Sequence, residues 1–146
     1  MNAIGAGLDD EFEAMVKKAE RSVANLKDAF ETENQRNVET LRDLWEAARR
    51  AGCDPASIAA VFRISHDIKG QGATFGYELL SVAAGSLCRL ISGPSAPAMP
   101  DRVKSLIEAH VAAIELVTKR KITGPGGQQG EELVSQLRRA SSALAG

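Results

Sequence analysis

The sequence predicts an all-α protein built as an antiparallel four-helix bundle with additional N-terminal and C-terminal helices. Apolar residues recur at steps of three and four through most of the chain, which is the spacing of one helix face. No window shows the apolar/polar alternation and turn chemistry of a β-hairpin. The breaks between helical stretches are short, which favours antiparallel neighbours.

Leu8, Phe12, Met15, Ala19, Val23, Leu26 and Phe30 form the first amphipathic stripe and predict a helix over about residues 8–31. The polar stretch ETENQRN is expected to interrupt it. A second stripe, Val38, Leu41, Leu44, Trp45 and Ala48, runs to Gly52, a suitable stop. Asp54 and Pro55 then form a cap and first-turn pair, opening a helix that carries Ile58, Val61, Phe62, Ser65 and Ile68. Near Phe75 and Gly76 the chain can turn. YELLSVAAGSLCRLIS supplies the next helix, whose Ala83, Ala84, Gly85 and Ser86 allow close approach of a neighbour, and Gly93 ends it.

GPSAPAMP reads as a linker, followed by a helical stripe of Val103, Leu106, Ile107, His110, Ile114 and Val117. After a second break, TGPGGQQG, a short amphipathic helix over about 130–144 places Leu133, Leu137 and Leu144 on one side. No internal repeat is visible. At 146 residues the chain makes one domain, 1–146, with its bundle core at about 34–120.

Composition excludes several function classes. Eighteen basic and 19 acidic side chains give a net charge of −1, so no broad cationic surface exists for nucleic acid or acidic lipid. Cys53 and Cys88, with two histidines, offer neither a disulfide framework nor the clustered spacing of a zinc site, and no metal or other cofactor is expected. MNAIGAGLDDEFEAM lacks basic residues ahead of an apolar stretch, and no apolar run approaches the roughly 20 residues that span a bilayer. A cytoplasmic protein without membrane contact is expected.

The chemistry concentrates in FRISHDIKGQGATFG, residues 62–76. Each glycine inside a helix costs about 1 kcal/mol relative to alanine, so something must offset two of them. At about 100° per residue, Ile58, Val61, Ser65, Ile68 and Gly72 share the buried side, and His66 lies roughly 120° from its centre, facing outward. Gly72 faces the core, where close packing of a neighbouring helix explains it. Gly70 lies one turn after His66 on the outward strip, where packing makes no demand, and it leaves the imidazole uncovered. Lys69 and Arg63 flank the ring and can steer an anionic group toward its nitrogen. The constellation suits attack on phosphorus.

These residues resemble the histidine-containing phosphotransfer (HPt) domains of phosphorelays. That family's signature is a histidine, any residue, an aliphatic residue, lysine and glycine, with a second glycine ten residues after the histidine. Here His66, Ile68, Lys69, Gly70 and Gly76 fill those places. The resemblance covers about residues 34–120. It implies a phosphocarrier, not an ATP-dependent kinase, with His66 as phosphoacceptor, Lys69 helping to neutralise the phosphoryl group and Gly70 admitting the partner. Ala59, Phe62, Arg63, Ala73 and Gly76 are the expected binding surface. The implied partners are receiver domains of response regulators and of a hybrid histidine kinase, with magnesium held by the receiver, and a monomer is expected. Many family members carry a glutamine on the following helix near the position of Cys88. This chain has Cys88 with Arg89 beside it, and no residue is carried over there.

Two rival readings come from other classes. SHDIK also resembles the phosphoacceptor box of sensor histidine kinases, in which Asp67 would be a base on a dimeric bundle. Gly70 stands where such boxes prefer threonine or asparagine, however, and no ATP-binding domain fits in the remaining residues. A helical adaptor would use the strip around Ala59, Phe62 and Ala73 for docking without chemistry. His110 lies in an apolar stripe without cationic or glycine neighbours and reads as a core or edge histidine. GQGATFG follows no predicted strand and so does not read as a phosphate loop.

Overall fold

In the computed structural model residues 3–50 form a single helix, α1 (Ala3–Arg50). The structure describes the backbone of residues 3–92 and 99–145 and the side chains of residues 7–92 and 99–140. ETENQRN therefore does not break the helix, contrary to expectation. It contains neither glycine nor proline, and its Thr32, Asn34 and Asn37 side chains find partners. Thr32 Oγ1 donates to the Asp28 carbonyl at 3.1 Å. Asn34 is buried and donates from Nδ2 to Thr118 Oγ1 at 3.2 Å, and Asn37 donates to Gln71 Oε1 at 3.2 Å. Polar residues on the apolar line thus donate to distant parts of the chain, while Asn34 Oδ1 stays buried without a hydrogen-bond partner among the described residues.

Contacts divide the chain into two compact units, residues 1–33 and 34–146. In the first, Leu8, Phe12, Met15, Val23 and Leu26 are all exposed and Phe30 is buried, so the first apolar stripe forms on a helix as expected but is left uncovered as far as Leu26.

The second unit begins within α1, which ends in a Schellman turn. The Cys53 amide donates to Ala48 at 2.7 Å and the Gly52 amide to Arg49 at 3.2 Å, with Gly52 in the left-handed region at φ +74°. Helix α2 (Pro55–Thr74) starts where Asp54 and Pro55 predicted. Asp54 holds the extended N-cap conformation, but its side chain makes no capping hydrogen bond. Helices α3 (Glu78–Ile91), α4 (Asp101–Lys119) and α5 (Gly127–Ala145) follow. The expected stop at Gly93, the linker as far as residue 98 and the side chain of Leu144 lie outside the described residues.

The bundle closes through α1, α2, α3 and α4. Asn34 meets Thr118 and Arg42 meets Glu115 and Glu108, so partner numbers fall along α4 as they rise along α1 and the two run antiparallel. Arg42 donates from Nη1 to both Glu108 oxygens at 2.8 Å and also reaches Glu115 and Glu46. Side-chain hydrogen bonds to Glu115 and Glu108 raise the guanidinium pKa further above its ordinary value against the desolvation of partial burial. Between the helices Leu41, Trp45, Val61, Ile68, Leu80, Leu87, Ile107 and Ile114 are fully buried. Helix α5 packs on α3 and α4, with Leu137 buried. The expected fold class holds: all described elements are helices.

Candidate functional site

Helix α2 carries the sequence motif, and the bundle sets its orientation. Val61, Ser65, Ile68 and Gly72 are buried, matching the predicted inward face, while Ile58 is half-buried. Ser65 would be a buried orphan hydroxyl, but it donates to the Val61 carbonyl at 2.8 Å. With that face inward, His66 is left exposed.

The imidazole stacks on Phe62, one turn earlier, with ring centroids 6.1 Å apart and planes at 25°. A shallow depression of about 390 Å³ opens beside it, lined by His66, Asp67, Gly70, Gln71, Thr74 and Phe75. A Cβ added at Gly70 would meet nothing within 4 Å, so the bundle does not require glycine there. At Gly72 the same atom would lie 3.3 Å from the Ser81 amide nitrogen, 3.3 Å from the Tyr77 carbonyl and 3.4 Å from Leu80. The two glycines therefore differ as the wheel predicted. Gly72 brings α2 and α3 together, and Gly70 clears the surface beside His66.

Gly76 has a third role. It stands at φ +81° and lets the Tyr77 amide turn back to the Gly72 carbonyl at 2.8 Å, which ends α2. Its own carbonyl accepts the Gly124 amide at 2.8 Å, pinning the turn to the loop after α4.

Lys69 is exposed, and its stem lies along α3. A Cβ at Gly85 would approach Lys69 Cδ and Cε at 3.4 Å, so the missing side chain at 85 leaves room for the lysine stem. The Lys69 carbonyl accepts from Ser81 Oγ at 2.9 Å. Among the described residues neither Lys69 nor Arg63 has a carboxylate partner, so both cations remain available beside the motif. Of the expected binding surface, Arg63, Ala73 and Gly76 are exposed, while Ala59 and Phe62 are half-buried.

Cys88 is buried, and desolvation pushes its thiol pKa up against the opposing charges of Lys69 and Arg89, so it stays protonated. Arg89 is exposed.

His110 is fully buried on α4, as its stripe predicted. Its Nδ1 lies 2.7 Å from the Leu106 carbonyl, which can only accept, so Nδ1 carries the proton. Nε2 then accepts from the Ser86 hydroxyl at 2.8 Å. Burial lowers the pKa of this ring, the bond to Leu106 opposes that shift, and Arg89 adds to it. The histidine is neutral and fully engaged.

The motif did not point to Gln71 and Thr74 as lining residues. Positions 67, 70, 71 and 74 nevertheless have the spacing of a single helix strip next to His66, and that signal could have found them. Among the described residues no group of three or more histidine, cysteine, aspartate or glutamate side chains is placed to hold a metal ion, and no helix is long and apolar enough to cross a membrane.

An outward histidine beside an open glycine, on the second helix of a bundle closed within one chain, defines the class of site. The family model of the Hpt domain matches residues 25–120, and the chain belongs to that family. Hpt domains are phosphotransfer modules of two-component signalling that work with receiver domains, and that role is this chain's. No curated protein and no solved structure gives a significant match.

Proposed function

We propose that the chain relays a phosphoryl group between receiver-domain aspartates through a phosphohistidine at His66. The observation that carries this reading is the exposed ring of His66 with open space at Gly70 one turn away. In the forward step the unprotonated ring nitrogen attacks the phosphorus of an aspartyl phosphate. A P–N bond forms as the P–O bond breaks, and the aspartate leaves as a free carboxylate. The return step onto a second receiver is the reverse.

Lys69 supplies positive charge to the phosphoryl oxygens, and its stem rests against Gly85, which reduces the freedom it must lose on engagement. Gly70 admits the receiver, and Ala59, Phe62, Arg63, Ala73 and Gly76 form the docking surface. Phe62 stacks on the imidazole and limits its rotation, which favours in-line attack. Magnesium belongs to the receiver in this scheme.

The closed bundle also weighs against the kinase-like reading, because α2 already packs within a four-helix arrangement made by one chain. Purified protein mixed with ATP and magnesium should stay unlabelled, and addition of a phosphorylated receiver should give an acid-labile, base-stable phosphoramidate. Labelling from ATP alone would overturn the carrier reading.

A further inference from the structure

Leu8, Phe12, Met15, Ala19, Val23, Leu26 and Phe30 are separated by four, three, four, four, three and four residues. This is an eleven-residue repeat of about 3.67 residues per turn, close enough to the natural helix that the stripe stays on one side. Leu8, Phe12, Met15, Val23 and Leu26 are between 60% and 69% exposed, and Val16 widens the stripe at 38%. Beyond Phe30 the same steps reach Asn34, Asn37, Leu41, Trp45 and Ala48, of which Asn34, Leu41, Trp45 and Ala48 are buried. One spacing therefore runs through both units, exposed as far as Leu26 and covered at Phe30 and Asn34 and again from Leu41. Contiguous apolar surface of this kind marks an interaction site.

We propose that this stripe pairs with the same stripe of a second copy, antiparallel, about a two-fold axis near Ala19. The order of spacings reads the same in both directions from Ala19, so an antiparallel partner sets Phe12 against Leu26 and Met15 against Val23. The smallest residue of the stripe falls at the crossing, where two helices can approach closely. The exposed stripe side chains offer roughly 600 Å² per copy, or about 1,200 Å² in total, at the lower limit of the range for stable interfaces. A dimer of moderate affinity that responds to concentration is the result.

Charge selects the direction and argues against other occupants. Asp9, Asp10, Glu11 and Glu13 crowd the start of the segment, and a parallel dimer would set the two acidic clusters side by side. Asp9 and Lys27 are five helical turns apart and lie on the same edge of the stripe, about 80° from its centre. A two-fold antiparallel pair brings like edges together, so Asp9 of one copy faces Lys27 of the other. An anionic lipid surface is a poor alternative, because residues 8–30 carry six acidic against four basic side chains. This pairing makes a dimer where the family resemblance implies a monomer.

Sedimentation equilibrium on the full chain tests the proposal. The expected result is a monomer–dimer equilibrium in the micromolar range, abolished by Ala19→Glu and by Phe12→Glu while helicity and the thermal melt stay unchanged. Lys27→Asp should weaken association about fivefold, and Asp9→Lys in the same chain should restore it. That rescue is impossible in a parallel dimer, where the two positions lie about 27 Å apart. A chain that stays monomeric to about 0.5 mM, which is far above the expected range, overturns the proposal. So does a dimer that survives both glutamate substitutions, or loss of the dimer in favour of binding to phosphatidylserine vesicles.

Discussion

His66 stands exposed on α2 beside an open glycine, whereas His110 is fully buried on α4 with both ring nitrogens in hydrogen bonds. The residue type is the same and the surroundings reverse its use. A ring nitrogen can attack phosphorus only if its lone pair is free and a partner can reach it. At position 110 the Nε2 lone pair accepts the Ser86 hydroxyl and Nδ1–H is bound to Leu106. The glycines repeat the contrast at smaller scale, since Gly70 borders open space and Gly72 borders the backbone of the α2–α3 turn and of α3.

The strongest way to break this comparison is to exchange the losses. His66→Gln should abolish labelling by a phosphorylated receiver while shifting stability by no more than about 0.5 kcal/mol, as exposed substitutions do. His110→Ala should do the reverse. It leaves a cavity and an unpartnered buried Ser86 hydroxyl, so it should cost about 2–4 kcal/mol in a denaturant melt while labelling per folded molecule persists. If the His110 variant loses labelling and the His66 variant keeps it, the functional reading of the two sites is reversed.

Gly72→Ala is next in size. Its new methyl must displace the Ser81 and Tyr77 backbone or the Leu80 side chain, and overpacking of this kind costs about 1–3 kcal/mol. Transfer should fall only as far as folding does.

The pH response sharpens the contrast further. The folded-state pKa of His110 is lowered, so below about 6.5, the value for a free histidine, the unfolded chain binds a proton that the folded chain does not. The His110 contribution to stability is fully present above that pH and declines as pH falls, by at most about 1.4 kcal/mol per pH unit. Melts between pH 7.5 and 5.5 should show this decline, and His110→Phe should reduce it while His66→Gln leaves it in place.

Gly70→Ala carries the smallest stability effect and the sharpest meaning. Alanine is the better helix former, and its methyl meets nothing within 4 Å, so stability should rise by up to about 1 kcal/mol. Transfer from the receiver should nevertheless slow. An alanine variant that unfolds but transfers normally per folded molecule would make Gly70 a packing residue.

Much of the site was legible because α2 is amphipathic. Ser65, Ile68 and Gly72 repeat at helical steps, and that repetition alone places His66 outward and Gly72 inward. The lysine was less legible. Its stem lies against Gly85, which the sequence marks only as one of several small residues that permit close approach. Gln71 escaped notice because its partner, Asn37, belongs to a stretch that reads as a loop.

Local chemistry by itself determined the all-α class, the start of α2 at Pro55, its end at Gly76 and the face on which His66 lies. Each follows from backbone restrictions or from periodicity, which act over a few residues. The tertiary structure alone decided that residues 31–37 remain helical. Asn34 and Asn37 look like loop formers until Thr118 and Gln71, remote in the chain, accept their hydrogen bonds. It also decided which apolar stripes are covered. Residues 8–26 and 41–48 share one spacing, and a spacing states which side of a helix is apolar. Burial requires another surface placed against that side, and for residues 41–48 the other helices of the bundle provide it.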